Sequence, residues 1–118
     1  MQAGQLCFGL YDELYVIDME QVMYFQADDH YSQVYYASGA HFMLPFGLAK
    51  VEEAIAGRGD DDGAFVRLGR KYIVNTRRIF HISTMKQILM LSDNSGNTLS
   101  IHVPKPVLRT LIETLRTH

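Results

Sequence analysis

Apolar side chains recur at every second position through most of this chain, and that period restricts the fold to one built from β-strands. In QLCFGL, for example, Leu6, Phe8 and Leu10 share one parity and the residues between them share the other. Successive side chains of a strand point to opposite faces of a sheet, so the alternation indicates one buried and one exposed face. The same signal predicts further strands at ELYVID (13–18), QVMYFQ (21–26), HYSQVYYA (30–37), AHFML (40–44), AFVRL (64–68), KYIVN (71–75), RIFHIS (78–83), QILML (87–91) and TLSIHV (98–103).

Turn residues and two helical segments complete the pattern. Ser38-Gly39 follows one strand and DNSGN (93–97) precedes another, and both sequences are typical of hairpin turns. Apolar residues take the helical period instead in GLAKVEEAIAG (47–57), which ends in a glycine, and in VLRTLIETLRTH (107–118), which follows two prolines. The pattern therefore predicts one mainly β domain with two helices, the second packed on a sheet.

Length and cysteine content narrow the class of protein. The 118 residues suit a single domain. No apolar run reaches the roughly 18 residues needed to span a bilayer, and the N-terminal segment lacks the basic start of a secretory signal. Cys7 is the only cysteine, which excludes an internal disulfide and a multi-cysteine zinc site. We therefore expect a cytoplasmic protein without a membrane partner.

Charge is distributed unevenly along the chain. Residues 1–62 hold two Lys or Arg and eleven Asp or Glu, a balance of -9, whereas residues 63–118 hold nine and two, a balance of +7. The two balances sum to the net charge of -2. Such asymmetry suggests a polyanion-binding face. The alternative is that the two halves interleave in one fold and neutralise each other.

Acidic and histidine clusters offer little support for enzymatic chemistry. Asp28-Asp29-His30 could suggest a metal or acid–base site, but adjacent residues diverge in an extended segment, so we interpret them as a polar turn. The acids of RGDDDG (58–63) lack the spaced ligands of a calcium loop and indicate a solvated tip. Nucleophile, zinc-binding and phosphate-loop motifs are missing from the sequence. We therefore expect no catalytic residue, no metal site and no cofactor.

One stretch, FVRLGRKYIVNTRRI (65–79), combines strand-forming residues with five cations and no acid. We interpret Gly69-Arg70-Lys71 as a bend and Asn75-Thr76-Arg77-Arg78 as a second polar corner, with a buried strand between them. Cations held at rigid turns of the backbone are suited to binding phosphate groups. Lys105 and Arg109 add a third basic position, one turn apart beside the N-terminus of the last helix, where free N–H groups also attract anions.

Three blocks of the sequence resemble the LytTR-type DNA-binding domain of bacterial response regulators and related transcription factors. The middle block, FVRLGRKYIVNTRRI, is similar to the family pattern F-x-R-x-H-R-S-Y-I-V-N-x-x-x-I, and it is the most specific of the three. The others are VMYFQADDHYSQVYYASG (22–39) and TLSIHVPKPVLRTL (98–111). The best match covers residues 10–117, which implies a single domain over residues 1–118 with no receiver domain.

The resemblance implies an elongated fold of small antiparallel β-sheets with two short helices, whose loops enter successive major grooves of double-stranded DNA. It places DNA-binding residues in the first-block loop, at the bend before Y-I-V-N and at the start of the last element. We expect Arg70 and Lys105 to contact base edges or phosphates, since such side chains donate to guanine in the major groove. The remaining expected DNA-binding residues are His30, Ser32, Lys71, Arg77 and Arg109.

Departures from the family pattern imply a different sequence preference. Gly69-Arg70-Lys71 replaces His-Arg-Ser, Pro104-Lys105-Pro106 replaces Ser-Arg-Arg, and Gln26 replaces a glutamate. The family's habits further imply that two copies bind paired sites, and that a sensor kinase acts only through a receiver domain outside this chain. We therefore expect sequence-specific DNA binding by a transcriptional regulator. The alternative is a protein-interaction or ligand-sensing β-module that has lost its DNA contacts.

Overall fold

The computed structural model describes residues 4–58 and 63–117. Within that part of the chain the helices are α1 (Leu48–Ala56) and α2 (Lys105–Arg116). The strands are β1 (Gln5–Leu10), β2 (Glu13–Asp18), β3 (Val22–Asp28), β4 (Tyr31–Tyr36), β5 (His41–Leu44), β6 (Phe65–Leu68), β7 (Tyr72–Asn75), β8 (Ile79–Ser83), β9 (Ile88–Ser92) and β10 (Thr98–His102). Short 3-10 turns at Met19–Gln21 and Thr76–Arg78 lead into β3 and β8.

A five-stranded antiparallel sheet of order β5-β4-β3-β7-β6 forms the centre of the fold. Its β3 and β7 strands pair directly, with Phe25 opposite Ile73, so residues from both halves of the sequence share one sheet. All four residues of β7 are buried, which explains its nearly continuous apolar sequence YIVN. The β1–β2 hairpin forms a separate two-stranded sheet, and β8, β9 and β10 form a three-stranded one.

A hydrophobic core lies on each face of the central sheet. Phe25 and Ile73 belong to the first core, which includes apolar residues of α1 and the β1–β2 hairpin. Val74 belongs to the second, together with Leu89 of the three-stranded sheet and Leu108 of α2. Each of these five side chains is at most 1% exposed, and burying one such side chain typically stabilises a fold by about 1.5–3 kcal/mol. The central sheet is therefore a rigid support for the turns at its ends.

The structure confirms the predicted fold class of small antiparallel sheets with two helices, and the extents of 46 × 29 × 27 Å are elongated. The last helix begins at Lys105, between Pro104 and Pro106, the two prolines expected at its start. Pro106 is tolerated inside its first turn because the N–H groups there have no partner within the helix. The predicted acidic loop lies mostly at residues 59–62, outside the described residues. Neither helix in the described ranges is long and apolar enough to cross a membrane.

Candidate nucleic-acid interface

The β3–β4 turn presents His30 at one end of the central sheet. Asp28 ends β3, and Asp29 and His30 form the turn, with Asp29 in the left-handed region at a φ of 56°. This is the polar turn that the sequence predicted. The His30 Nε2 lies 3.8 Å from the Asp29 carboxylate, and the side chain of His30 is 91% exposed. The imidazole is therefore available to a ligand from solvent.

Ser32 does not belong to this exposed turn, and the structure gives no support to the prediction that it contacts DNA. Its side chain is fully buried on β4, and its hydroxyl donates to the Phe46 carbonyl at 2.8 Å. Tyr31, which sequence reasoning did not single out, is 46% exposed directly after His30. The alternation of β4 was the available signal, because Ser32 shares the parity of the buried Val34 and Tyr31 does not.

The β6–β7 turn presents Arg70 and Lys71. Gly69 has a φ of 61°, a conformation that glycine adopts without strain, and it starts the three-residue turn. The side chains of Arg70 and Lys71 are exposed. The backbone N–H of Ala27 donates to the Lys71 carbonyl at 2.8 Å, which fixes this turn beside the C-terminal end of β3. The bend predicted before YIVN is therefore next to the His30 turn.

The first turn of α2 lies against the same place. The Val107 side chain is 3.9 Å from the position that a Cβ on Gly69 would occupy. Lys105 is half-buried and Arg109 is exposed, four residues apart on the helix. The first turn of α2 contains no acid and its N-cap, Pro104, makes no side-chain hydrogen bond, so the helix dipole and free N–H groups favour an anion here.

These three basic positions, separated in sequence, thus converge at one end of the central sheet. We call this surface the basic end and define it as His30, Arg70, Lys71, Lys105 and Arg109. Their convergence follows from the β3–β7 pairing and the contact of α2 with the β6–β7 turn. Phosphates of a duplex are contacted by such exposed cations and by helix N-termini.

Arg77, also predicted to contact DNA, lies away from the basic end. It is exposed in the 3-10 turn that follows β7, at the opposite end of that strand from Lys71. Asn75, at the start of this turn, donates through its side-chain amide to the Val22 carbonyl at 2.9 Å, which anchors the turn to the beginning of β3. Four strand residues separate the two turns, a span of roughly 13 Å. The two predicted basic corners therefore face opposite ends of the sheet.

Two cations of the basic stretch are bound within the fold. Arg67 donates through Nε to the Gly69 carbonyl at 2.9 Å and through a terminal nitrogen to Glu52 at 3.1 Å. Arg78 donates to the backbone carbonyl of Glu20 at 2.5 Å. The count of five cations in the sequence therefore overstates the charge that the stretch presents to a ligand.

Lys86 is a further cation that sequence reasoning did not assign to the site. It is exposed in the β8–β9 turn. The Val103 N–H donates to the Gln87 carbonyl at 3.0 Å, which places this turn beside the segment leading into α2. The excess of cations after residue 63 was the only signal in the sequence that Lys86 could contribute to a basic surface. Its place beside the start of α2 depends on the pairing of β9 with β8 and β10.

The Lys71 side chain rests on an aromatic group. Its ammonium lies 5.5 Å from the centre of the Tyr72 ring, within the range of a cation–π interaction. The Tyr72 ring in turn meets Tyr24 edge-on, with centroids 5.7 Å apart. Burial, and then the neighbouring Tyr35 and Tyr72, raise the pKa of Tyr24 well above its usual range, so its phenol stays neutral. The rings thus give Lys71 a fixed, uncharged support.

The two oppositely charged halves of the sequence do interleave, yet they do not cancel at the basic end. Glu52 and Arg67 join them in an ion pair of 3.1 Å, and β3 and β7 lie side by side. Asp28 and Asp29 bring acid to the β3–β4 turn, where the Asp28 carboxylate accepts from Gln33 at 3.1 Å. The cations of the β6–β7 turn and α2 lie on the adjoining part of the same end. Among residues 4–58 and 63–117, no group of three His, Cys, Asp or Glu is placed to hold a metal ion.

Comparisons with known proteins identify the family and the fold. The LytTr DNA-binding domain family matches residues 12–115. The CO-responsive transcriptional regulator RcoM of Rhodospirillum rubrum is 32% identical over 95 residues, which are 79% of this chain and 38% of that protein. The chain thus spans well under half the length of this relative. The solved structure of a LytTr DNA-binding domain from Bacillus cereus shares the fold, with a TM-score of 0.62 at 21% identity over 97% of this chain and 98% of that one.

Proposed function

The chain belongs to the LytTr DNA-binding domain family, and from that membership and the basic end we propose that it binds duplex DNA sequence-specifically as part of a transcriptional regulator. The loops at the basic end would enter successive major grooves, and the chain itself would carry out no catalysis. A cytoplasmic location accords with this role.

The convergence of three basic positions at one end of a rigid sheet is the observation that carries the proposal. Exposed cations on a soluble domain are common, and each alone would be a solvated surface residue. Here the turn before β7 is hydrogen-bonded to β3 and packed against α2, so the positions of Arg70 and Lys71 are fixed relative to Lys105. Cations at fixed relative positions are suited to recognising a duplex, because the phosphates and base edges of DNA are regularly spaced.

We assign separate roles to these residues. Arg70 and Lys105 contact base edges, where a cation can donate to guanine O6 and N7. Lys71, Arg109 and Lys86 contact phosphates, which adds affinity without sequence preference. His30 and the exposed Tyr31 complete the face on the β3–β4 side. Ser32 is left out because its hydroxyl is buried and bonded, and Arg77 because it lies at the opposite end.

Two features of the regulator lie beyond this chain's own contacts. We propose that two copies bind paired sites on one duplex. Where a sensor kinase controls the regulator, we propose that it does so through a receiver domain outside these residues. Neither proposal is needed for DNA binding by the basic end.

The test is fluorescence-anisotropy binding to a duplex taken from upstream of the protein's own gene, against a shuffled duplex, at two salt concentrations. The three phosphate contacts assigned to one chain would give a slope of log K against log salt of roughly -3, because each contact contributes about -0.9. We expect tighter binding to the native duplex and this steep salt dependence on both.

Equal binding to the native and shuffled duplexes would contradict sequence specificity while leaving phosphate binding intact. Failure to bind either duplex at low salt would overturn DNA binding by this chain and would favour the protein-interaction module instead. Retention on a heparin column at low salt gives an independent measure of the polyanion affinity.

A further inference from the structure

We propose that Arg67 and Glu52 act as a positioning pair that holds the β6–β7 turn in its DNA-binding shape, although neither touches DNA. This inference rests on the proposed function of the basic end. It assigns an acidic residue, Glu52, a role that promotes binding to a polyanion.

The geometry of the Arg67 guanidinium carries the inference. Arg67 lies on β6, next to the turn, and its Nε donates to the carbonyl of Gly69 at 2.9 Å. A second nitrogen of the same planar group donates to the Glu52 carboxylate at 3.1 Å. One rigid side chain thus connects the first residue of the turn to helix α1. The helix is itself fixed, because Val51 and Ile55 on either side of Glu52 are buried in the first core.

The bond from Arg67 supplies a hydrogen-bond partner at the Gly69 end of the β6–β7 turn. Its last residue, Lys71, is held by the Ala27 N–H, and the Val107 side chain packs beside its first residue, Gly69. Gly69 adopts left- and right-handed conformations with similar ease, so its observed φ of 61° depends on its partners. Within residues 4–58 and 63–117, the bond from Arg67 to the Gly69 carbonyl is a side-chain hydrogen bond that holds this turn directly. Loss of that bond would free Arg70, which follows Gly69.

Burial separates Arg67 from the cations that we assign to DNA. The Arg67 side chain is 28% exposed, whereas Arg70 and Lys71 are exposed on the turn itself. Its charge is also offset by Glu52. Arg67 therefore presents little charge to a phosphate, and its two bonds account for the arginine at this position. A lysine would keep the charge but could not reach both partners with fixed planar geometry.

The experiment compares Glu52→Ala with Glu53→Ala, a matched control on the adjacent exposed residue of α1. Both substitutions remove one negative charge, which by electrostatics alone strengthens binding to DNA. We expect Glu53→Ala to bind the native duplex as tightly as the wild type or slightly tighter, and Glu52→Ala to bind up to about fivefold more weakly, the range of a partly exposed ion pair. Arg67→Lys, which leaves net charge unchanged, should weaken binding by a similar factor.

Two readouts separate positioning from other roles. The magnitude of the salt slope should stay at the wild-type value in Glu52→Ala and in Arg67→Met, which removes the Arg67 charge, whereas a lost phosphate contact would lower it by about one. Without DNA, NMR signals of the Gly69, Arg70 and Lys71 amides should broaden in Glu52→Ala and Arg67→Lys but not in Glu53→Ala. Unchanged melting temperatures within a few degrees would confirm that all variants are folded.

Equal affinity of the Glu52→Ala and Glu53→Ala variants, with sharp turn amides in both, would overturn the positioning pair. A salt slope whose magnitude falls by about one in Arg67→Met, which removes the charge, would show instead that Arg67 contacts phosphate. The wild type could bind no duplex while the turn amides broaden in Glu52→Ala and Arg67→Lys as expected. The proposed function would then be wrong, but the conclusion that the Arg67–Glu52 pair holds the turn in its shape would be supported.

Discussion

The backbone N–H of Ala27 donates to the carbonyl of Lys71 at 2.8 Å, although the two residues belong to different hairpins. This bond continues the β3–β7 ladder by one step beyond Gln26 and Tyr72. A slip of the ladder by one residue would move Ile73 out of the first core and Val74 out of the second, so the packing of these side chains in the two cores fixes the register. The position of Lys71 relative to the His30 turn is therefore set by the core, and side chains of the basic end can be altered without disturbing it.

Alanine at Lys71 should weaken binding to all duplexes alike. The main-chain bond to Ala27 remains in the variant, so the effect reports the ammonium group. We expect the slope of log K against log salt to become less negative by about one, as for the loss of one phosphate contact. Arg116→Ala is the control, since it removes an exposed cation at the other end of α2, about 16 Å from Lys105. A sequence-dependent loss at Lys71 would contradict its assignment to phosphate.

Alanine at Arg70 should relax sequence preference at one base pair, with a loss of about 1–3 kcal/mol on the preferred duplex. The reason is that a guanidinium donating to a base edge distinguishes that base from the other three. Binding to a panel of duplexes, each substituted at one position, measures the effect. An equal loss on every member of the panel would rule out base reading by Arg70.

Ser32→Ala should affect stability and leave DNA binding unchanged. The hydroxyl donates to the Phe46 carbonyl in a fully buried setting, and losing such a bond costs about 0.5–1.5 kcal/mol of unfolding free energy. Urea unfolding measures this loss, and anisotropy at a temperature where the variant is folded measures affinity. Ser100→Ala, on the exposed face of β10, is the matched control and should change neither quantity. A drop in affinity with normal stability would restore Ser32 to the interface.

Local signals in the sequence account for most of the fold. The alternation in QLCFGL and the turn residues of DNSGN each concern neighbours along the chain, and the structure contains both the β1 strand and the β9–β10 hairpin that they predict. The α1 helix likewise ends at Ala56, directly before Gly57 as the sequence predicted, and the Gly57 N–H donates to the Glu53 carbonyl at 2.9 Å. Strand period and turn chemistry act over a few residues, so they can be recognised without knowing the rest of the fold.

The candidate site could be predicted only in part, because its arrangement depends on pairings between distant segments. Alternation shows that Ser32 and Tyr31 face opposite ways, but which face is buried depends on the packing of α1 and the β1–β2 hairpin. The basic residues of the middle block are close together in sequence. Lys71 precedes β7 and Arg77 follows it, however, so the strand separates them to opposite ends of the sheet. The bond from Arg67 to Glu52 joins segments that no local pattern connects.

Acid should remove the stabilisation contributed by Asp93. The Asn97 side-chain amide donates to this carboxylate at 2.7 Å and the Ser95 N–H donates at 2.8 Å, and these bonds lower the pKa of Asp93 below its ordinary value of 3.8. A depressed folded-state pKa means that the stabilisation is complete above that ordinary value and is lost as pH falls through the folded-state pKa. We expect Asp93→Ala to melt at a lower temperature than the wild type at pH 7.

Melting curves from neutral pH to strong acid test this dependence. The difference between the wild type and Asp93→Ala should shrink once pH falls below the ordinary value, because the protonated wild-type carboxyl accepts these bonds less well. Asn97→Ala removes the strongest of the bonds from the other side and should show the same fading difference. A gap that persists unchanged in acid would show that shape or packing, and not the carboxylate charge, accounts for the effect of Asp93.

Alanine at Gly69 should impair both stability and DNA binding through the backbone. The φ of 61° is left-handed, which costs a residue with a Cβ about 1–2 kcal/mol. Crowding is not the cause, since the nearest atom, a methyl carbon of Val107, would lie 3.9 Å from the new Cβ, an ordinary contact. Gly9→Ala is the control, because no atom lies within 4 Å of its Cβ position and alanine is favoured over glycine inside a strand. Urea unfolding should therefore show a loss for Gly69→Ala and none for Gly9→Ala.

If the turn instead changes conformation to relieve the strain, stability will be partly recovered while affinity for the native duplex falls, because Arg70 then leaves its position. Full stability together with full affinity would mean that the left-handed conformation of Gly69 is not required for the basic end.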